Sequence, residues 1–438
     1  MKTETGKNSG GPRLRTPDRA QVVMKVESPE ALISAGHRAR IIWQVVESMD
    51  LSAFHDPIKA RDGVCGRDAT SPKLLVALWL YACIRGVGSA RELARLCIES
   101  RPFLWLCGGV TVNHHLLSDF RVKHAQALDD LMSRTIAMLV DKRLVKVYRV
   151  SQDGTRLRAC AGASSYRRHE RLNRLLEAAT AHVAELKALL ADPERSAGLS
   201  ARQKAARQRA ARERQARVEQ AIAALPRLEQ KQKQLAKKIA KKDKEKKLKE
   251  PRASTTDADA RVMKMGDGGF RPAMNVQLAV DTESRAIVGV DVVNEGSDHH
   301  LSEPMRKQVE QRTGQKVHEH LMDGGFLVKE EIERAAEEGV TLYVPPKPPR
   351  NKELRDSEYE PMAGESQMLT DWRARMGSAA GKEIYKQRAS TVETVNADLK
   401  THRGLDRLRV RGLGKVKCLA LWAALAYNVL HFSTALVG

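Results

Sequence analysis

Aromatic residues are scarce in this chain: Phe, Trp and Tyr make up 4% of its 438 residues. Proteins that bind single-stranded nucleic acid stack the bases on aromatic side chains, so this scarcity argues against that kind of surface. Cysteine is scarce too, with six residues and no C-x-x-C pair. This pattern argues against zinc ligands and a disulfide framework, and it predicts reduced core cysteines in a cytoplasmic protein.

Long hydrophobic runs are also missing. The longest, Leu74–Ile84 and Cys418–Phe432, fall short of the roughly 20 apolar residues that a membrane span needs. The first residues, Lys-Thr-Glu-Thr-Gly-Lys after Met1, lack the apolar core of a signal peptide. We therefore expect no membrane partner and a cytoplasmic location.

Positive charge is what the sequence has in excess. The formal net charge is +22, and residues 201–250 alone hold 18 Lys and Arg against 6 Asp and Glu. A second basic cluster near the end comprises Arg403, Arg407, Arg409, Arg411, Lys415 and Lys417. An excess of this size predicts a polyanionic partner, with a membrane surface as the alternative to nucleic acid. We expect double-stranded DNA in the nucleoid, contacted through its phosphates by residues such as Arg407, Arg409 and Arg411.

The first part of the chain divides into a tail and a helical domain. Residues 1–30 are polar and predict a disordered basic tail. Residues 31–143 show helical patterns and are the candidate domain for binding DNA ends. Ser71-Pro72 predicts one helix start and Ser89-Ala90-Arg91-Glu92 another, separated by a glycine-containing turn. This pair is either a helix-turn-helix DNA reader or an ordinary helical hairpin, and the spacing fits both equally.

Residues 166–250 predict a basic coiled-coil insertion, because strand-like sequence lies on both sides of them. Apolar residues recur there at steps of three and four, which is typical of a coiled-coil seam. The seam comprises Leu172, Leu176, Ala179, Val183, Leu186 and Leu190, and the returning arm has Val218, Ile222, Leu225, Leu235 and Ile239. A turn at 191–200 and a disturbance at Pro226 complete the pattern. The seam either folds back as an antiparallel hairpin or joins two chains.

The rest of the chain, residues 144–165 and 251–438, alternates strands and helices. The expected strands are Lys146–Asp153, Asn275–Asp281, Ala286–Val293, Lys316–Asp323 and Val340–Val344. The expected helices are Ser302–Arg312, capped by Ser302, then Val328–Glu338 and a last one from about Ile384 to Thr401. The second and third strands are expected to pair through a turn at Thr282–Arg285.

Three acidic residues stand out in this α/β region. Asp153 and Asp323 end the first and fourth predicted strands, and Glu393 lies on the last helix. This order of elements is the ribonuclease-H-like arrangement, in which neighbouring strands would bring the two aspartates together beneath that helix. Carboxylate oxygens suit Mg²⁺ or Mn²⁺, and two ions about 3.5–4 Å apart could bracket one phosphate. The alternative for each Asp-Gly pair is a turn, and for Glu393 an exposed helical position.

At these residues the chain resembles the DDE transposases of bacterial insertion sequences. The shared segments are Asp153-Gly154-Thr155, Met322-Asp323-Gly324-Gly325-Phe326 and the spaced set Tyr385, Arg388, Glu393 and Lys400. Further similar segments are Ser71-Pro72-Lys73, Leu117-Ser118-Asp119-Phe120-Arg121, Ala253-Ser254-Thr255-Thr256-Asp257 and Gly268-Gly269-Phe270-Arg271-Pro272. The resemblance covers most of the chain outside its first 30 residues.

The resemblance implies roles for particular residues. Asp153, Asp323 and Glu393 match the metal-binding triad, and Tyr385, Arg388 and Lys400 match side chains that hold DNA near the scissile phosphate. One spacing differs, because four residues separate Arg388 from Glu393 against three in the tightest form of the signature. On a straight α-helix, at about 100° per residue, this places Arg388 about 140° from Glu393. Arg388 would then be a surface arginine unless the helix begins later or carries a bulge.

Other acids and histidines have ordinary interpretations. Asp267, Asp281, Asp291 and Asp298 are expected in turns or at solvent-facing strand positions. His318 and His320 share one predicted strand face and are expected on the sheet surface, because Mg²⁺ prefers oxygen ligands.

Three hypotheses follow for the function. The first is a DDE transposase that binds terminal inverted repeats, cuts DNA with metal-activated water and joins the 3′ ends to target DNA, working as a homodimer. The second is a related nuclease that cuts without strand transfer. The third is an inactive basic coiled-coil protein that binds DNA without needing Mg²⁺ or the three carboxylates.

Overall fold

A computed structural model describes residues 26–61, 68–240, 250–348 and 357–437, together with positions 19, 20, 22, 24, 63 and 65. Most of the predicted basic tail, residues 1–30, lies outside these ranges, as do residues 241–249 of the predicted insertion. The helices before the first strand are α1 (Arg38–Ser48), α2 (Ser52–His55), α3 (Pro72–Ile84), α4 (Ala90–Glu99), α5 (Arg101–Cys107), α6 (His114–Lys123) and α7 (Ala125–Asp141).

The predicted helix pair at 71–99 forms, but its two members differ in environment. Pro72 begins α3, and Ser89 caps α4, with the Glu92 amide donating to Ser89 Oγ at 3.4 Å, which is one of the two bonds of the predicted capping box. Nearly every residue of α3 is buried, whereas α4 exposes one face and packs against α5 and α6. α3 is therefore a core helix, and of the two only α4 presents a continuous face to solvent.

The segment predicted as an insertion forms α8 (His169–Ala191), α9 (Pro193–Ser196) and α10 (Ala201–Ala240). α8 packs against α10 of the same chain, with Leu172 buried against Val218, Ala221 and Leu225. The predicted seam thus faces the returning arm. α10 runs on through Pro226, which was expected to disturb it.

One six-stranded sheet carries the rest of the fold. The strands within the described ranges are β1 (Arg149–Arg158), β2 (Tyr166–Arg167), β3 (Ala253–Ser254), β4 (Arg261–Lys264), β5 (Phe270–Asp281), β6 (Ile287–Val293), β7 (Glu319–Leu321) and β8 (Thr341–Tyr343). The sheet order is β4-β5-β1-β7-β8, with β6 also paired to β5, while β2 and β3 pair separately. β5 is antiparallel to β1, β6 and β4, and β7 is parallel to both β1 and β8. The predicted pairing of the second and third strands through Thr282–Arg285 is confirmed.

The remaining helices are α11 (Ser302–Thr313), α12 (Lys329–Glu337), α13 (Gln367–Gly377), α14 (Ala379–Arg388), α15 (Thr394–His402), α16 (Leu413–His431) and α17 (Ser433–Val437). Ser302 was wrong as a cap. Its hydroxyl donates to Glu331 Oε2 at 2.6 Å instead, and the residue before it, Leu301, is the N-cap of α11. β4, α13, α16 and α17 were not predicted.

α16 joins the amino-terminal helices to the sheet. It packs against α3, α6, α7 and β6, and its Trp422 indole donates to the Arg121 carbonyl at 3.1 Å. One hydrophobic core therefore extends from Ala39 to Leu436, without a break at the predicted boundary of residue 143. By length and composition α16 alone among the described helices could cross a membrane, but 61% of its most apolar window is buried inside the protein.

The expectation that His320 lies on the sheet surface was wrong. His320 is 1% exposed, and neither ring nitrogen has a hydrogen-bond partner among the described residues. Burial lowers the pKa of His320 to about 3, with a smaller contribution from Arg306. His318, by contrast, is exposed just before β7. The difference arises because β7 is covered on the face that carries the His320 ring.

We expect His320 to make the fold sensitive to acid. Its pKa is about 6.5 in the unfolded chain and about 3 in the folded chain, so the unfolded state takes up the proton first. The free energy of unfolding should therefore fall by about 1.4 kcal/mol per pH unit between these two values. Unfolding midpoints measured from pH 7 to 4 should fall less steeply in His320→Leu than in wild type. The matched control His318→Leu should retain the wild-type slope, and an unchanged slope in His320→Leu would contradict the prediction.

Candidate active site

Asp153 lies within β1, not at its end as the sequence suggested. β1 continues to Arg158 because its second half pairs with β5, with Asp153 opposite Leu278. On its other side β1 pairs with β7 only from Arg149 to Ser151, where Ser151 is opposite Leu321. Continuing this parallel register by two residues brings Asp153 beside Asp323, which follows the end of β7.

Asp323 begins a short turn of 3₁₀-helix, Gly324–Phe326. Its carboxylate accepts a hydrogen bond from the Gly325 amide at 2.8 Å, which fixes the start of the turn. The expected strand Lys316–Asp323 was too long, since β7 ends at Leu321. The Asp-Gly turn, which was the alternative to a metal-binding role, does form at Asp323. Asp323 nevertheless lies beside Asp153.

Glu393 lies where the last predicted helix changes its winding. A π-helical segment, Ala389–Glu393, separates α14 from α15. In a π-helix the hydrogen bonds run from i to i+5, so residues five apart stand about one turn apart. Arg388 Nη2 accordingly donates to Glu393 Oε1 at 2.6 Å. The π-helical segment is the bulge that the sequence left open, and the 140° separation expected for a straight helix does not apply.

The guanidinium of Arg388 lies between two of the predicted acids. Its Nη1 is 3.8 Å from Asp153 Oδ1 and is buried without a hydrogen-bond partner among the described residues. Burial acts to lower the pKa of Arg388, but Tyr385 and the carboxylates of Asp153, Glu393 and Asp323 together raise it. Arg388 is therefore the cation around which these acids are arranged.

Two residues of α15 complete the surroundings of Asp153. Asn396 Nδ2 donates to Asp153 Oδ2 at 2.9 Å. Burial lowers the pKa of Lys400, and the nearby Asp153 carboxylate partly opposes this shift. Burial raises the pKa of Asp153 itself to about 6; Arg388 opposes this shift and Asp323 adds to it. The residues predicted for the site did not include Asn396. Tyr385 is half-buried beside Arg388, and burial raises its pKa.

The donor atoms at this site fit a hard divalent cation, since Asp153, Asp323 and Glu393 offer only carboxylate oxygens. The present side-chain positions do not yet form a coordination sphere. Among the described residues, no three Asp, Glu, His or Cys side chains are placed to hold one ion. Glu393 is bonded to Arg388 instead, and its side chain is 48% exposed. An ion at this position requires Arg388 to release Glu393.

The predicted DNA-binding residues Arg407, Arg409 and Arg411 lie away from these acids. They follow α15 in an extended segment that joins the far end of β1, where the Leu408 amide donates to the Arg158 carbonyl at 3.3 Å. Leu408 is buried, and the three arginines are exposed. Arg158 is five residues beyond Asp153, roughly 17 Å along a strand at about 3.3 Å per residue. The bridge between Arg158 and Arg407 therefore places this segment well outside the group of acids.

Of the four acids with ordinary interpretations, Asp298 was misjudged. Asp267 and Asp281 do form turns, accepting from the amides of Gly269 and Ser284. Asp298 is instead 6% exposed and accepts hydrogen bonds from Asn275 and Gln277 on β5. The only signal in the sequence was the polar pair Asn275 and Gln277 within the run Ala273–Val280, which is otherwise apolar.

Two known protein families match parts of this chain. Residues 250–429 match the family described as Transposase DDE domain, and residues 27–123 match the one described as Transposase domain (DUF772). No match was found among curated proteins or among solved structures. The first match includes Asp323 and Glu393, whereas Asp153 lies outside both.

These matches define the class of the protein as a DNA transposase, an enzyme whose DDE domain has the ribonuclease-H-like fold. The sheet order agrees with that fold, because an antiparallel hairpin precedes the parallel strands β7 and β8. More specifically, the chain belongs to the DDE transposases of insertion sequences. Enzymes of this family use divalent metal ions, generally Mg²⁺.

Proposed function

We propose that this transposase binds the terminal inverted repeats of an insertion sequence, cuts at them and transfers the 3′ ends to target DNA. The observation that supports the proposal is the grouping of Asp153, Glu393 and, by strand register, Asp323 around Arg388. Turn formation alone gives no reason for three acids so distant in sequence to share one partly buried cation.

The three carboxylates are proposed to hold two Mg²⁺ or Mn²⁺ ions. Such ions would lower the pKa of the attacking water or hydroxyl and offset the charge on the leaving oxygen. Asn396 keeps Asp153 Oδ2 oriented, so that Oδ1 remains available on the side of Arg388.

Arg388, Lys400 and Tyr385 are proposed to hold the DNA strand. Arg388 has five N–H donors in a planar fork, which suits a phosphate once Glu393 is released. Lys400 is half-buried beside Asp153 and can contact a phosphate on the same side of the site. The Tyr385 hydroxyl, next to Arg388, can donate to a neighbouring phosphate oxygen.

Both chemical steps exchange one bond to phosphorus for another. In the first, water attacks the phosphorus at the element end, the P–O3′ bond breaks and a 3′ hydroxyl is released. In the second, this hydroxyl attacks a phosphorus of target DNA, and the target's own P–O3′ bond breaks. One phosphodiester replaces another in the second step, so no energy-supplying cofactor is required.

DNA outside the site is proposed to lie on several basic surfaces. The helical domain of residues 31–143 would bind the element ends, and the basic arm of the coiled-coil insertion, which includes Arg202, Arg209 and Arg212 on α10, would grip phosphates without sequence preference. Because transposition requires the two element ends to be held together in one complex, we propose that a homodimer carries out the reaction. The seam of α8 is covered by α10, so the dimer contact is expected elsewhere.

We expect the segment 407–411 to contribute to affinity for DNA without reading its sequence. Changing Arg407, Arg409 and Arg411 together to Gln should reduce the slope of log K against log salt by about three, at about 0.9 per phosphate contact. Specific and unrelated duplexes should lose affinity equally. Fluorescence anisotropy at several salt concentrations measures both quantities, and an unchanged slope would exclude this segment from the DNA surface.

The proposed function is tested with pre-cut element ends and a target plasmid, in Mg²⁺ or Mn²⁺. Inverted repeats in the DNA that flanks the gene supply the end sequences. We expect joined products in which the element 3′ end is covalently linked to the plasmid. Nicking without joined products would instead identify a nuclease, and binding without either reaction would identify an inactive DNA-binding protein.

A further inference from the structure

The buried carboxylate of Asp298 lies directly behind the candidate active site. Asp298 follows β6, and its Oδ1 accepts hydrogen bonds from Asn275 Nδ2 and Gln277 Nε2, both at 2.7 Å. Its Oδ2 is 3.5 Å from Arg156 Nη2. A buried carboxylate costs several kcal/mol unless hydrogen bonds and charge offset the lost hydration. The fold thus supplies two amides and one guanidinium to this single side chain.

Asp298 contacts the segments that carry both site aspartates. A Cβ atom added to Gly154, the neighbour of Asp153, would lie 2.5 Å from Asp298 Oδ1 and 2.2 Å from Gln277 Nε2. A Cβ atom added to Gly325, two residues after Asp323, would lie 3.5 Å from Asp298 Oδ2. At Gly154, Asp298 and its hydrogen-bond partners occupy the space where a larger residue would place its side chain. At Gly325, Asp298 Oδ2 lies at contact distance, behind the nearer Asp323 Oδ1 at 2.9 Å.

No strand pairing joins these two segments at the aspartates themselves. The ladder between β1 and β7 ends at Ser151 and Leu321, two residues before Asp153 and Asp323. The register with β5 places Gly154 opposite Gln277 and Arg156 opposite Asn275, on the sheet face away from the Asp153 side chain. Asp298 therefore spans, from the opposite face, the gap that the ladder leaves.

We propose that Asp298 is a positioning residue that fixes the spacing between Asp153 and Asp323. Its Oδ1, with Asn275 and Gln277, supports the Asp153-Gly154 peptide, and its Oδ2 faces the Gly325 turn that orients Asp323. The role rests on the proposed function, in which Asp153 and Asp323 bind divalent ions. Asp298 itself lies on the wrong face of the sheet to join them as a ligand.

The test is the affinity of the full-length protein for Mn²⁺ without DNA, measured from the free Mn²⁺ signal in electron paramagnetic resonance. Asp298→Asn keeps the shape and one carbonyl oxygen for the two amides, but it turns an NH₂ group or a neutral oxygen toward Arg156. We expect Mn²⁺ affinity to fall about 10- to 100-fold, the usual effect of losing a residue that orients a metal ligand. Binding to element ends and the melting temperature should stay near wild type.

Two further variants make the result specific. Asp291→Asn is the matched control, because Asp291 is a β6 acid whose only described ion pair is with Lys417 at 3.7 Å, and its Mn²⁺ affinity should be unchanged. Arg156→Gln loosens the same network from its partly exposed end and should lower Mn²⁺ affinity in the same direction, by a smaller factor. If Asp298→Asn does not fold, Arg156→Gln provides the test in its place.

Each outcome decides the matter. Wild-type Mn²⁺ affinity in Asp298→Asn, or in Arg156→Gln if the first variant is unfolded, overturns the positioning role. A loss as large as that of Asp153→Asn would make Asp298 a ligand and overturns it too. If Asp153→Asn itself binds Mn²⁺ like wild type, the proposed function fails first; if Asp153→Asn loses binding and Asp298→Asn does not, only the positioning role fails.

Discussion

Asp323→Asn is expected to lower the rate of DNA cleavage at an element end by at least about 10³-fold. A carboxylate that holds a catalytic ion contributes several kcal/mol to transition-state stabilisation, and about 1.4 kcal/mol corresponds to a factor of ten. The amide of Asn keeps the carbonyl oxygen that accepts from the Gly325 amide, so the turn at 324–326 should persist. Affinity for the element ends should therefore stay within about twofold of wild type, because the basic surfaces are untouched.

The chain contains a closely matched control for this substitution. Asp267 is also followed by two glycines, and its carboxylate also accepts from the amide of the second, Gly269, at 3.0 Å. It lies in the exposed turn between β4 and β5, where its other contact is Arg271. Asp267→Asn repeats the chemical change and the local turn without touching the site, and it should cleave at the wild-type rate. Normal cleavage by Asp323→Asn, or equal losses in both variants, would contradict the assignment.

Arg388→Ala is expected to change two measurements in opposite directions. Without DNA it should bind Mn²⁺ about 10- to 100-fold more tightly than wild type, because the guanidinium no longer competes for Asp153 and Glu393. A unit charge at about 4 Å contributes about 1 kcal/mol in water and about 4 kcal/mol near a protein surface, which brackets this range. DNA cleavage should nevertheless fall about 10²-fold, since a positively charged donor to the reacting phosphate is lost.

The control for Arg388→Ala lies on the same helix. Lys386 pairs with Glu383 at 2.7 Å, and both side chains are largely exposed. Lys386→Ala removes a positive charge two residues away without opening the site, so Mn²⁺ affinity and cleavage should both stay near wild type. If Arg388→Ala binds Mn²⁺ no better than wild type, the guanidinium does not occupy the place of an ion.

The sequence predicted the elements whose signals are local. The alternation of apolar residues located β5 and β6 and their connecting turn, and the heptad spacing of α8 located its packing face. The end of β1 was misplaced because Gly154, Arg156 and Arg158 break the apolar alternation. Gly154 and Arg156 face a buried polar network, and Arg158 faces solvent. Pairing with β5 holds this half of β1 in place, and the sequence of β1 alone does not reveal that pairing.

The site itself was predicted by residue type, while its geometry depends on tertiary contacts. Helical periodicity assumes 3.6 residues per turn, so it does not predict the π-helical segment that rotates Arg388 toward Glu393. From the sequence, a bulge could be named only as one of two ways to bring these residues together. Asp298 resembled a loop residue because nothing nearby in the sequence marks its partners on β5. By alternation, His318 and His320 belong to the same strand face. Only the packing of the sheet makes His320 buried and leaves His318 exposed, and the sequence does not show that packing.

The central claim, that Asp153, Asp323 and Glu393 together hold divalent ions, is tested most directly by locating Mn²⁺ through its anomalous scattering in crystals of the transposase bound to cleaved element ends. We predict manganese in contact with Asp153 and Asp323, Glu393 turned from Arg388 toward the ions, and Arg388 on a DNA phosphate. Manganese held by other residues, or Glu393 still bonded to Arg388 in a complex competent for strand transfer, would contradict the claim.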